Sequence, residues 1–140
     1  MGWCESPPLF CSGPETSRDL MEKLRTMDMP LHKFEHYMMQ RIYPLSTTVY
    51  NEGFVTLLEV YVDDFIAMRN NTSNTHLLQV SLTMLHGIHA IFPPTEVTGN
   101  NGFDPVALSK LEKVEGTWEQ SKEILGWIMD GQKVTIQLPI

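Results

Sequence analysis

Asp63 and Asp64 are adjacent carboxylates set between the apolar residues 55–62 and 65–68. An unpaired charge is costly in such surroundings, so the pair calls for exposure at a turn, a bound cation, or both. A hard divalent ion suits them, because Mg²⁺ and Mn²⁺ prefer oxygen ligands and Mg²⁺ often takes only one or two carboxylates beside phosphate oxygens. Asp is at home in turns, so a bare Asp-Asp step proves nothing and the surrounding string decides. His32 and His36 offer a second chemistry, since two imidazoles four residues apart on a helix can meet one metal. No Cys or third His stands near them in sequence, which favours a solvated pair, and His76, His86 and His89 have no better company.

The elements that must position these groups follow from pattern. Ser6-Pro7-Pro8 reads as a helix start, with Ser able to cap free N–H groups and Pro tolerated in the first turn. Ser12-Gly13-Pro14-Glu15 has the form of a capping box, followed by Leu20, Leu24 and Met27 at helical spacing. A helix over about 7–26 is expected, broken or kinked at Pro14. Pro30 opens a second amphipathic stretch with Leu31, Phe34, Met38 and Ile42 on one face, closed by Pro44. From residue 55 the sequence turns β-branched and aromatic, and 55–68 reads as a hairpin turning at Asp63-Asp64. Thr72, Ser73 or Asn74 caps a third helix, whose stripe of Leu78, Leu82, Leu85, His89 and Phe92 ends at Pro93-Pro94 and should pack on the hairpin. Residues 95–103 read as loop, with a short helical piece within 105–113. Residues 123–129, the turn-forming Asp130-Gly131 and the alternating residues 134–138 read as a second hairpin.

At 140 residues with 42% hydrophobic content the chain suits one domain with its own core. Its 17 acidic against 10 basic side chains give a net charge of -7, which argues against autonomous binding of DNA or RNA. Cys4 and Cys11 are too few for a disulfide framework, and no export signal is legible at the start, so a reduced intracellular compartment is the expectation. The apolar runs fall well short of the roughly 20 residues that a membrane span needs. The nine Met residues read as core filler.

Tyr61-Val62-Asp63-Asp64 within strand-turn-strand hydrophobics resembles the catalytic motif C of reverse transcriptases. Two further segments match in order. Residues 1–10 resemble motif B, the Pro-x-Gly-x-x-x-Ser-Pro segment that opens a palm helix, through Gly2, Ser6 and Pro7, with the leading Pro absent. Residues 122–127 resemble the Phe/Ile-Leu-Gly segment leading into the primer grip, and the primer-grip-like hairpin covers about 122–138. The whole stretch is most similar to polymerases of eukaryotic retrotransposons.

The resemblance implies an α+β fold, a partial polymerase palm of antiparallel β-hairpins with helices packed on one face. It also implies two-metal nucleotidyl transfer in RNA-directed DNA synthesis, acting on an RNA/DNA primer-template and a dNTP. Asp63 would be the direct ligand of Mg²⁺ or Mn²⁺ and Asp64 a ligand or charge partner. Tyr61 and Val62 would face the primer terminus, Gly2 and Trp3 would line the nucleotide and template side, Ser6 and Pro7 would fix the supporting helix, and Leu125, Gly126 and Trp127 would form the primer-grip-like segment. The motif A Asp and the triphosphate-binding fingers lie upstream of motif B in this family, and here nothing precedes Met1. The expectation is therefore a fragment that binds metal weakly, is inactive alone, and could be complemented by the missing fingers and palm segments. The alternative is a non-catalytic retroelement remnant or an interaction module acting through exposed apolar surface.

Overall fold

The computed structural model describes residues 6–40, 56–61, 64–69, 73–94, 104–113, 115–131 and 133–140. In chain order the elements are α1 (Ser6–Leu24), α2 (Glu35–Met38), β1 (Thr56–Tyr61), β2 (Asp64–Arg69), α3 (Asn74–Ile91), α4 (Leu108–Glu112), β3 (Ser121–Ile124), β4 (Trp127–Asp130) and β5 (Thr135–Gln137). The fold is mixed α+β, with β1–β2 forming one antiparallel sheet and β3-β4-β5 another.

α3 is the axis of the molecule. Ser73 caps it by accepting the His76 N–H, and the helix ends where the Phe92 N–H meets the Ile88 carbonyl ahead of Pro93. The expected stripe is only part of its buried surface: Leu82 and Leu85 are buried, but so are Leu77, Val80, Ser81, Thr83 and Met84. Packing on several sides explains this, since α1, α2 and β2 all contact α3.

α1 runs through Pro14 as one 19-residue helix instead of breaking there. Pro14 removes one rung of the backbone ladder, and contacts with α3 hold the helix together around it. Gly87 lets the two helices approach closely, because a Cβ there would collide with Met21 Cγ. The Ser17 hydroxyl donates to the Gly87 carbonyl at 2.7 Å. A Cβ on Gly13 would likewise stand 2.6 Å from the Phe92 ring.

The helix expected from Pro30 is much shorter, only Glu35–Met38. Residues 30–34 are non-helical because their groups bond elsewhere: the Pro30 carbonyl accepts from His86 and the Phe34 N–H donates to His32 Nδ1. Phe34 and Met38 are buried as expected, Leu31 is exposed, and Ile42 lies outside the described residues.

In the first hairpin Leu58 and Val60 stand opposite Ala67 and Phe65. This face meets the core formed by Met21, Phe34, Met38, Leu58, Val80, Met84, Leu85 and Leu111. Helices thus cover one face, and Leu57, Tyr61 and Met68 remain exposed on the other. The second unit is a three-stranded meander instead of a single hairpin. Residues 123–129 are not one strand, because the chain reverses at Leu125-Gly126, where φ is 53° and 78°. That positive pair is what a two-residue turn of the primed type requires, and Gly126 supplies it most easily.

Candidate functional site

Asp64 does not sit in the turn of the first hairpin. It is the first residue of β2 and pairs with Tyr61, which leaves Val62 and Asp63 between the paired ends. The expected turn centre is therefore displaced by one residue. Val62 and Asp63 themselves lie outside the described residues, as do Gly2 and Trp3. Ser6 and Pro7 open α1 as predicted, although their side chains are not among those described.

Directly opposed residues share a face of the sheet, so Tyr61 and Asp64 both stand on the face away from the helices. Both are exposed. Among the described residues the Asp64 carboxylate makes no hydrogen bond or ion pair, which leaves its lone pairs available to a cation. Asp64 also forms one wall of a cleft of about 270 Å³ that runs to the second sheet, lined by Phe65, Met84, Trp118, Lys122 and Leu125.

The far side of this cleft is anchored to α3. Trp118 Nε1 donates to Ser81 Oγ at 2.8 Å, and Ser81 Oγ donates to the Leu77 carbonyl at 2.8 Å. Lys122 Nζ donates to the Thr117 carbonyl at 2.7 Å. Burial pushes the Lys122 ammonium below its ordinary range, and Glu119 and Glu115 partly restore it. Leu125, held in the left-handed region where a branched side chain is unusual, lines the edge of the cleft and is exposed, as are Gly126 and Trp127. The structure thus brings Asp64 and Leu125 to one cleft, although they lie 61 positions apart in sequence.

As a metal site the arrangement fits in part. An unpaired, exposed carboxylate suits a hydrated hard cation held by few protein ligands, although the cleft beside it is walled largely by apolar side chains. Among the described residues no group of three or more His, Cys, Asp or Glu side chains could hold a metal.

The histidines are arranged otherwise than their spacing implied. His32 precedes α2 and is 9% exposed, whereas His36 is exposed and stacks on Tyr37 with ring centroids 4.0 Å apart. His32 instead joins a relay. The Phe34 N–H can only donate, so His32 Nδ1 accepts, and His32 Nε2–H donates to His89 Nδ1 at 2.8 Å. His89 Nε2–H then donates to Asp104 Oδ1 at 2.8 Å, which also accepts from Val106 N–H at 2.9 Å. Lys33 Nζ pairs with Asp104 Oδ2 at 3.0 Å, His86 donates to the Pro30 carbonyl at 2.7 Å, and the Glu35 carboxylate accepts the His32 N–H.

Burial first, and then His89, His86 and Lys33, push His32 down to about 4, with Asp104 acting the other way. Burial raises Asp104, but the bonds from His89, Val106 and Lys33 outweigh it and hold the carboxyl below its ordinary value. No hydroxyl or thiol joins this chain among the described residues. Its chemistry is that of a clasp, fastening residues 30–34 and 104–106 to α3. The sequence favoured a solvated His32–His36 pair, which holds for exposed His36 and not for buried His32; the only signal for the real partner is that His86 and His89 stand one turn apart on a helix.

Comparison of the chain with models of known protein families, with curated proteins and with solved structures found no match in any of the three. No helix among the described residues is long and apolar enough to cross a membrane.

Proposed function

We propose that the chain is a reverse-transcriptase-like palm unit whose Asp63 and Asp64 hold Mg²⁺ or Mn²⁺ weakly. The observation that carries this reading is the string Tyr61-Val62-Asp63-Asp64 astride the closed end of an antiparallel hairpin, with Tyr61 paired to an unengaged Asp64. A divalent cation bound there supplies activation of a primer 3′-hydroxyl and neutralisation of triphosphate charge. Tyr61 offers an exposed aromatic surface beside it for the end of an RNA/DNA primer-template, and the Leu125-Gly126 turn flanks the cleft beyond.

Two-metal displacement also requires a ligand from a separate strand that bridges both ions, and among the described residues no group of three or more His, Cys, Asp or Glu side chains stands together. That ligand, and the donors that position a dNTP, have to come from other palm and fingers segments. The chain alone is therefore expected to bind metal without incorporating nucleotides. The test pairs Mn²⁺ titration, read by paramagnetic broadening, with primer extension. Broadening centred on residues 61–66 that disappears in Asp63→Asn and Asp64→Asn, with no extension, is the expected result. Absence of that broadening defeats the metal reading; template-dependent extension by the wild type that Asp64→Asn abolishes would make the chain a complete enzyme.

The second reading, a non-catalytic interaction module, is favoured by the exposed apolar side chains of the meander: Trp127, Val134, Ile136 and Leu138. Under it, neither aspartate substitution changes the behaviour of the chain towards metals.

A further inference from the structure

The chain from His32 through His89 to Asp104 admits one arrangement of protons. The Phe34 N–H can only donate to His32 Nδ1, which fixes the His32 proton on Nε2. That proton faces His89 Nδ1 and so fixes the His89 proton on its own Nε2, towards Asp104. Running the chain the other way would make His32 accept at both nitrogens and leave it with no proton at all. His86 stands edge-on to His32 with ring centroids 5.0 Å apart, and its Nε2–H is committed to the Pro30 carbonyl.

A further proton on either imidazole of the chain therefore breaks a link. On His32 it takes Nδ1 and confronts the Phe34 N–H; on His89 it takes Nδ1 and confronts the His32 Nε2–H. The surrounding charges come from every element packed here. Lys33 ahead of α2, with His86 and His89 on α3, opposes a cationic His32, while Asp104 ahead of α4 favours one. In α2 the Glu35 carboxylate is engaged by the His32 backbone N–H. The segments that the links hold have little support of their own. Residues 30–34 and 104–106 contain no strand or α-helix, and α2 and α4, four and five residues long, are too short to persist unless packed. α1 packs on α3 and β1, whereas α2 packs on α3 and α4.

We propose that this chain of imidazoles is a proton-operated latch: on mild acidification residues 30–38 and 104–112 come off α3 together and uncover Phe34, Met38 and Leu111, while α1, α3 and the first hairpin stay folded. All three of those apolar side chains are buried when the latch is shut. The direction follows from linkage. His32 is held near 4 when shut and returns towards 6.5 when open, so between these values the open form carries the extra proton, and opening grows as the pH falls. Local release of this kind is the ordinary behaviour of segments that few bonds tie to a core. The latch uses no residue of the polymerase reading and stands without it.

The test uses the full chain and two NMR measurements. Imidazole ¹⁵N spectra at pH 7.5 should show His32 and His89 both as the Nε2–H tautomer. Native-state hydrogen exchange, corrected for the intrinsic rate, should show the Phe34 and Val106 amides losing about tenfold or more of their protection between pH 7.5 and 5. The Met84 and Leu85 amides, in the middle of α3, should keep theirs within about threefold. His32→Gln has no proton to gain in this range, so it should abolish the pH dependence whether the latch is then shut or open throughout. His36→Gln, which alters an exposed imidazole outside the chain, should leave the dependence intact. An Nδ1–H tautomer at either residue, protection that does not change with pH, or a dependence that survives in His32→Gln would overturn the latch. So would loss of protection at Met84 and Leu85 in step with Phe34 and Val106, because the acid response would then be global unfolding.

Discussion

The two antiparallel units of this chain close with the same two-residue step: Tyr61 pairs with Asp64 across one, and Ile124 with Trp127 across the other. Their fates diverge beyond that. β1–β2 turns Leu58, Phe65 and Ala67 onto a core assembled with α1, α2, α3 and α4, whereas β5 is exposed along its whole length. β3–β5 contributes no residue to the buried cluster. The meander is tied down through its first strand and edges, by Lys122 to the Thr117 carbonyl and by Gly131 N–H to the Gln120 carbonyl. The hairpin that carries Asp64 is thus braced from behind by helices. A sheet that is half-buried at most in its first two strands and open along its third is stabilised mainly by its own ladder, which is marginal support in water.

If bracing is the difference, truncation behind the first hairpin should have the largest effect. Leu58 is 2% exposed, and Leu58→Ala should cost about 2–5 kcal/mol in urea unfolding; a loss below 1 kcal/mol would mean that the hairpin does not depend on the helices. Next comes the α1–α3 contact that places the brace. Gly87→Ala forces a methyl group into buried Met21 and should destabilise by about 1–3 kcal/mol despite the better helix propensity of Ala, measured by the same transition.

The clasp is sensitive to acid in a calculable direction. His32 titrates near 6.5 when unfolded and about 4 when folded, so between these values the unfolded chain holds the extra proton. By linkage, stability is complete above pH 6.5 and falls as the pH drops towards 4. The expected loss is roughly 1–2 kcal/mol, less than the full equivalent of the shift because water screens part of the cluster. Melts from pH 7.5 to 4 should show this slope, and His32→Leu should flatten it. Below that window Asp104, ionised and paired in the fold, adds a second loss as it protonates.

The smallest effect belongs to the meander. Ile136 is 65% exposed, and Ile136→Ser should change stability by no more than about 0.5 kcal/mol. A loss above 1 kcal/mol, above all one that grows with protein concentration, would show that this sheet is covered in solution by another copy and that the contrast between the two units is an artefact of viewing one chain.

What the sequence determined by itself was local. The β-branched run around the acidic pair specified a hairpin, and a cap among Thr72, Ser73 and Asn74 together with Pro93 bracketed α3. These follow from backbone preference and hydrophobic period, which act over a few residues. Tertiary structure decided the rest. Pairing register put Asp64 into β2, because the face bearing Leu58 and Val60 has to meet the core and a shift of one residue would turn that face outward. Residues 30–34 gave up a helix because His86 and His32 took their backbone groups, joining His32 to a partner 57 residues away in place of His36. Asp64 and Leu125 came to one cleft only when the strands packed around α3. Contacts of that kind leave no period in the sequence, because their energy depends on surfaces that do not exist until the chain has folded.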